Sequence, residues 1–296
     1  DASYYDIVEK ALYNTVLAGI NIAGDRYFYV NPLEVVPEFC TEHTYMEHVK
    51  PVRQKWFGVA CCPPNVGRTL ASLGQYIYAE DEEAVYINQF ISSTADTEVR
   101  ESRMKIKMDS TLLQDGRVQI EVQSSGPGNL NIRIPWYSEK CECVQNGISI
   151  EIQPDKGYHR LSISPGDTHI SLDFHVIPRW MGANDSVRAD AGKAALMKGP
   201  LVYCLEEKEN GRYLSQIFIE ENTSIEETAP AEGMVGSVPT LSYKGIRVRN
   251  KGAAGENQLY GNVELEKEEV SLKAVPYCMW NNRGEGEMMV WQKLRI

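Results

Sequence analysis

From Val118 to Val176 apolar residues recur at every second position in four separate runs, a period that dictates half-buried antiparallel sheet. The runs are Val118, Ile120 and Val122; Leu130, Ile132, Ile134 and Trp136; Ile148, Ile150 and Ile152; and Ile170, Leu172, Phe174 and Val176. Asp115-Gly116, Gly126-Pro127-Gly128, Asn146-Gly147, Asp155-Lys156-Gly157 and Pro165-Gly166-Asp167 separate them as turns. Their spacing is that of a sandwich, so a jelly-roll-like β-sandwich domain is expected over 83–180. Past Pro178-Arg179-Trp180 the pattern loosens. It resumes in 194–206, 214–219, 241–248 and 288–296, with a Gly- and Glu-rich stretch over 226–237. This reads as a second, less regular β-sandwich domain over 181–296, with room to share strands with the first.

Residues 1–82 follow a different period. Tyr5, Val8, Leu12 and Val16 lie near helical spacing and predict a helix over 3–18. Val66, Leu70, Leu73 and Ile77, at i, i+4, i+7 and i+11, predict a second over 64–79. Between them, Gly19 and Gly24 punctuate the chain before Tyr27-Phe28-Tyr29-Val30, and an extended loop runs on to Pro51. Two helices and a loop cannot enclose a core. The segment therefore reads as the tail of a helical domain, or as helices docked on the sheets that follow.

Composition narrows the function. A net charge of −11, with acidic runs at Glu80-Asp81-Glu82-Glu83, Glu220-Glu221 and 264–269, argues against nucleic acid as partner. Those runs read as solvated faces or loop tips. No apolar run approaches the ~18 residues that cross a bilayer, so no membrane partner is expected. Seven cysteines, an odd number without dense spacing, point to a reducing compartment, and the cytoplasm is the expected location.

Cys61-Cys62-Pro63-Pro64-Asn65 carries the chemistry. Proline is favoured in the first helical turn, where a missing N–H costs nothing, so the two thiols sit at or just before a helix start. Unpaired N–H groups and the positive end of the helix dipole favour an anion there, which makes thiolate available for attack or metal ligation. The competing reading is a pair of buried, inert cysteines. A disulfide between neighbours is disfavoured by its strained geometry.

Four segments in fixed order carry a family resemblance. They are Ala11-Leu12-Tyr13-Asn14 with Phe28-Tyr29-Val30-Asn31-Pro32-Leu33; the Cys-Cys-Pro-Pro-Asn run; Gly199-Pro200-Leu201-Val202-Tyr203; and Ala274-Val275-Pro276-Tyr277 with Trp280-Asn281-Asn282-Arg283-Gly284. The chain resembles glycoside hydrolase family 127, the β-L-arabinofuranosidase type. The resemblance implies a mixed α and β fold in which 1–82 are the C-terminal helices of an (α/α)6 barrel, followed by antiparallel β-sandwich domains. It implies Cys61 as the nucleophile of a retaining glycosidase, a zinc ion (Zn2+) on Cys61 and Cys62, and Tyr29, in Tyr-x-Asn-Pro-Leu, as a substrate-binding residue. An arabinofuranosyl oligosaccharide or related glycan is the implied partner, and a homodimer the implied assembly. The family's other zinc ligands, a Glu-x-Cys pair, its general acid/base glutamate and its substrate-binding histidines lie upstream of the helix that opens this chain. The sequence therefore resembles the C-terminal portion of such an enzyme, and little or no activity is expected of it alone. The alternative is a non-catalytic β-sandwich module that binds carbohydrate or mediates dimerisation. Another sugar specificity on the same scaffold is a third possibility.

Other candidates are weaker. Glu38-Phe39-Cys40 has the Glu-x-Cys form, and with the two thiols it would make a plausible tetrahedral set, but the resemblance implies a ligand pair much further ahead of Cys-Cys, and Cys40 is expected to pack inward. Lys55-Trp56-Phe57 can line a sugar pocket or fill a core. His43 and His48 flank Tyr45 in a loop without metal-ligand spacing, and Asp185 and Asp190 near Arg188 suggest a surface ion cluster. Cys141 and Cys143, two apart, read as structural, and Cys204 and Cys278 as core.

Overall fold

A computed structural model describes residues 1–231, 236–253 and 259–295, which divide into two units. The expected strand end at Ile296 and part of the Gly- and Glu-rich stretch lie outside the described residues.

The first unit comprises Asp1–Tyr13 and Pro64–Ile177. It opens with the helix Ser3–Ala11, with Asp6 in its first turn and Lys10 in its last, each sign matching the helix dipole. A π-helical turn at Leu12–Val16 continues it, so the helical run over 3–18 is present but widened by one irregular turn. The second expected helix is broken in two, Cys62–Ala71 and Gly74–Ile77.

Two sheets follow. One is antiparallel throughout, in the order Ser93–Val99, Ser102–Ser110, Arg117–Ser124, Gly166–Asp173, Glu142–Gln145, Ile148–Ile150. The other runs Tyr158–Ile163, Gly128–Arg133, Val85–Ile87, Tyr78–Glu80, and its Val85–Ile87 and Gly128–Arg133 strands are parallel, a departure from the expected antiparallel pattern. Alternation decides which face is buried. Val118, Ile120 and Val122 point inward while their neighbours are exposed, and register sets Ile106 opposite Val122 and Met108 opposite Ile120. Both sheets feed one core: Val85, Ile87, Leu130, Ile132 and Leu161 from the smaller, Met104, Ile106, Ile120, Ile170 and Leu172 from the larger. Each such side chain contributes about 1.5–3 kcal/mol on burial. The expected turns are in place: Asn146 (φ 51°) and Gly147 (φ 80°) form the left-handed pair that closes a two-residue hairpin, with Gln145 opposite Ile148.

The second unit comprises Asn14–Pro63 and Pro178–Ile296. Its strands form one sheet whose pairing returns on itself. Leu201–Glu206 pairs Leu265–Pro276, which pairs Thr240–Asn250, then Ile217–Glu220, Gln292–Arg295 and Lys193–Lys198, and the last pairs Leu201–Glu206 again. The circuit closes because one edge of Lys193–Lys198 serves two partners: 193–194 against Gln292–Arg295, 196–198 against Leu201–Glu206. Pro178–Gly182, Glu34–Val35, Met288–Met289 and Glu226–Thr228 attach to it. One pairing, Ile217–Glu220 with Gln292–Arg295, is parallel.

Strands outweigh helices among the described residues, with five α-helices, three of them four residues long. Two longer helices cannot close an (α/α)6 barrel, and the described residues form none. Among them, no helix is long and apolar enough to cross a membrane.

Candidate active site

Tyr27 makes isolated bridges to Ile20 and Gln54, and the contacts of Tyr27, Phe28 and Tyr29 show that neighbouring rings face different ways. Phe28 points inward and stacks on Trp280, ring centroids 4.7 Å apart and planes within 7°. Tyr27 and Tyr29 face the other way and both pack on Phe57, at 5.1 and 5.5 Å. Main-chain bonds of 2.9 Å run both ways between Tyr27 and Gln54, and the Tyr27 hydroxyl donates to the Val59 carbonyl at 2.9 Å. These contacts bring the run into Cys61 alongside the tyrosines.

The Tyr29 oxygen lies 3.0 Å from Cys61 Sγ, and the two Sγ atoms of Cys61 and Cys62 are 3.8 Å apart. Cys62 is the first residue of the helix Cys62–Ala71, and Pro63 and Pro64 occupy its first turn, where they cost no hydrogen bond. Cys61 stands just before it and is exposed; Cys62 is half-buried; Tyr29 keeps 38% of its surface. The hydrogen bond from Tyr29 holds the Cys61 thiol below its usual pKa, with further help from Cys62 and from main-chain N–H groups of the pair. Cys62 is pushed up, first by burial and then by Cys61. The same bond to Cys61 drives Tyr29 up to about 12, so its phenol stays a donor. One thiol is prepared to ionise and the other is not.

Zinc imposes a test on this pair. Two sulfurs on a tetrahedral zinc, each about 2.3 Å from the metal, stand about 3.8 Å apart. The separation in the structure, 3.8 Å, is that of two adjacent corners. Among the described residues no group of three or more His, Cys, Asp or Glu side chains is arranged to hold a metal, so the spacing suits two ligands and these residues complete no site.

Other residues singled out in the sequence fall elsewhere. Glu38 pairs with Arg212, while Cys40 is buried and its thiol is pushed up by that burial. His43 and His48 are exposed. Trp56 is 62% exposed, whereas Phe57 packs against Tyr27 and Tyr29. Asp190 pairs with Lys193 at 3.9 Å. Cys143, Cys204 and Cys278 are buried, and Cys141 packs against the first unit's core. Sequence reasoning assigns no role to Arg53, and gives Tyr27 and Phe28 only a packing role, with Phe28 also part of the segment Phe28-Tyr29-Val30-Asn31-Pro32-Leu33.

Three family models cover nearly the whole chain: the GH127 catalytic domain of β-L-arabinofuranosidases over residues 1–75, the GH127 middle domain over 84–190, and the glycoside hydrolase family 127 C-terminal domain over 178–293. The chain belongs to glycoside hydrolase family 127. A non-reducing end β-L-arabinofuranosidase of Bifidobacterium longum subsp. longum is 33% identical to it over 98% of this chain and 45% of its own length. The crystal structure of a GH127 β-L-arabinofuranosidase from Geobacillus stearothermophilus T6 superposes with a TM-score of 0.92 at 37% identity, covering 100% of this chain and 47% of that one. A second solved GH127 β-arabinofuranosidase gives 0.86 at 26% identity, covering 100% of this chain and 46% of its own. This GH127 chain thus spans about half the length of these relatives.

Proposed function

We propose that the protein carrying these residues is a retaining glycosidase that releases terminal β-L-arabinofuranosyl units, with Cys61 as nucleophile. The observation that carries this is the exposed Cys61 thiol, 3.0 Å from a tyrosine hydroxyl that favours its ionised form. The names of the relatives supply the sugar.

In this reading the Cys61 sulfur attacks the anomeric carbon, forming a C–S bond as the glycosidic C–O bond breaks. A carboxylic acid donates its proton to the departing oxygen. The same group, now a carboxylate, takes a proton from water, which attacks the anomeric carbon and returns the thiolate. The reading places that acid in the part of the protein beyond these residues, with the remaining metal ligands and the other helices of an (α/α)6 barrel. Tyr29 orients the sulfur and presents an aromatic edge to the sugar. Cys61 and Cys62 would hold zinc, which when bound keeps a sulfur ionised near neutral pH.

The alternative, a carbohydrate-binding sandwich, finds less support. The groove on the larger sheet of the first unit, about 810 Å³, is lined by Asp96, Lys105, Lys107, Glu121, Gln123 and His169, charged and polar groups rather than the flat rings on which sugars stack.

The test is turnover of an aryl β-L-arabinofuranoside by the full-length protein. Cys61→Ala is expected to lower kcat by at least about 10³-fold. The 296 residues alone are expected to show little or no turnover. Full activity in Cys61→Ala would refute the nucleophile, and turnover by the 296 residues alone would refute the placing of the acid beyond them. A thiolate-to-metal charge-transfer band on adding Cd2+, lost in Cys62→Ser, checks the metal assignment without turnover.

A further inference from the structure

We propose that Arg53, backed by the turn Tyr277–Asn282 of the closed sheet, is a positioning residue that fixes the Tyr29 hydroxyl on the Cys61 thiol. Its catalytic consequence rests on the reading of Cys61 as nucleophile; the geometry can be tested without turnover.

Arg53 is 2% exposed. Its guanidinium grips main chain: Nη1 donates to the Trp280 carbonyl at 2.7 Å, and Nη2 and Nε donate to the Ala18 carbonyl at 2.9 and 3.2 Å. Its central carbon lies 4.5 Å from the centre of the Phe28 ring and 5.8 Å from that of Trp280. One side chain therefore joins the end of the first helix, the Phe28 face and the turn after the strand Leu265–Pro276. Burial draws its pKa down to about 10, which leaves it charged at neutral pH. A lysine there would keep the charge and lose the planar fork that reaches two carbonyls at once.

Both halves of the site are referenced to this group. Phe28 and Tyr29 are neighbours facing opposite ways, so clamping Phe28 sets the direction of Tyr29. Beyond Tyr29, the Tyr277 hydroxyl donates to the Pro32 carbonyl at 2.9 Å. On the other side, the Asn281 amide donates to the Pro51 carbonyl at 2.7 Å, and the Arg53 N–H donates to Asn281 Oδ1 at 3.4 Å. The next residue, Gln54, pairs with Tyr27, whose hydroxyl holds Val59 two positions before Cys61. The Tyr27–Gln54 bonds keep the two segments adjacent without the Arg53 fork, but Phe28 and the 277–282 turn lose their common anchor, and the 3.0 Å hydrogen bond between the exposed Tyr29 and Cys61 loses its alignment.

The experiment is a double-mutant cycle on the 296-residue chain, with the rate of Cys61 alkylation by iodoacetamide at about pH 7.5 read by mass spectrometry. Arg53→Lys and Tyr29→Phe are each expected to slow labelling about threefold or more, and the double variant to match Tyr29→Phe within about 1.5-fold. Equal slowing by Arg53→Lys with and without the Tyr29 hydroxyl would mean general loosening and would overturn the proposal. So would no slowing by either single change. If Arg53→Lys does not fold, Arg53→Gln, which keeps a planar amide donor, takes its place in the same cycle, and additivity there overturns it equally. Turnover of Cys61→Ala decides the nucleophile reading; this cycle decides the positioning.

Discussion

Cys61 and Cys62 are adjacent in sequence and opposite in chemistry. The bond from Tyr29 favours thiolate at Cys61, and burial disfavours it at Cys62. Limiting iodoacetamide is therefore expected to label Cys61 first, by about tenfold, since thiolate is the reacting form. Peptide mapping after partial alkylation reads this directly. Removing the hydroxyl with Tyr29→Phe takes away the largest influence holding the Cys61 pKa down. The inflection of its alkylation-rate profile is then expected to move to higher pH. At neutral pH the variant reacts more slowly, because the smaller thiolate fraction outweighs the modest gain in nucleophilicity of a more basic sulfur.

At the scale of single elements, the hairpin between Tyr78–Glu80 and Val85–Ile87 shows how one side chain closes a turn. Asp81 accepts the N–H groups of Glu83 and Ala84 at 2.7 and 2.9 Å and the Tyr86 hydroxyl at 2.7 Å. The Tyr86 bond, more than any other, holds its carboxyl below the ordinary value of 3.8. A depressed carboxyl contributes stability that is complete above the unfolded value and lost as pH falls through the folded one. Asp81→Asn is expected to cost about 0.5–1 kcal/mol at neutral pH, and urea midpoints of the two proteins should converge below both pKa values. Elements of this kind differ in how plainly the sequence announces them. The strand Arg117–Ser124 is legible because every second residue is apolar and every other one charged or polar. The strand Leu265–Pro276 is hidden by the acidic run 264–269, which reads as a solvated face. It is solvated, yet it is strand: Glu266 and Glu268 pair across the ladder with Lys251 and Arg249. The two parallel pairings are illegible because they join strands distant in sequence, Val85–Ile87 with Gly128–Arg133 and Ile217–Glu220 with Gln292–Arg295. The site divides in the same way. Cys-Cys-Pro-Pro announces a helix start from local chemistry alone, whereas the meeting of Tyr29 with Cys61 depends on Phe28 docking under Trp280, which no local pattern encodes.

Across the whole molecule, the chain leaves the first unit after Tyr13 and returns to it at Pro64, so residues 1–13 must be tied to sheets that begin some seventy positions later. The tie is ionic and buried. Arg133 on the strand Gly128–Arg133 meets Glu9 at 2.7 Å and Asp6 at 2.5 Å, donates to the Asn88 carbonyl at 2.5 Å, and has no exposed side-chain surface. Tyr137 donates to the same Glu9 oxygen at 3.3 Å. Burial pushes the Glu9 carboxyl above 4.5 despite the pull of Arg133. Replacing Arg133 with Met strands that carboxyl without its cation, and a cost of about 3–5 kcal/mol is expected. The cost carries a pH signature. With the cation gone the folded Glu9 pKa rises further, the folded state then holds a proton that the unfolded state has released, and stability falls as pH rises from the unfolded value towards the folded one. The urea midpoint of Arg133→Met should therefore drop more steeply than that of the wild type between about pH 5 and pH 8. Adding Glu9→Gln removes the buried titrating group, and the double variant is expected to recover at pH 8 while changing little at pH 5. Parallel pH profiles for Arg133→Met and the wild type would show instead that Glu9 finds another counter-charge once Arg133 is removed.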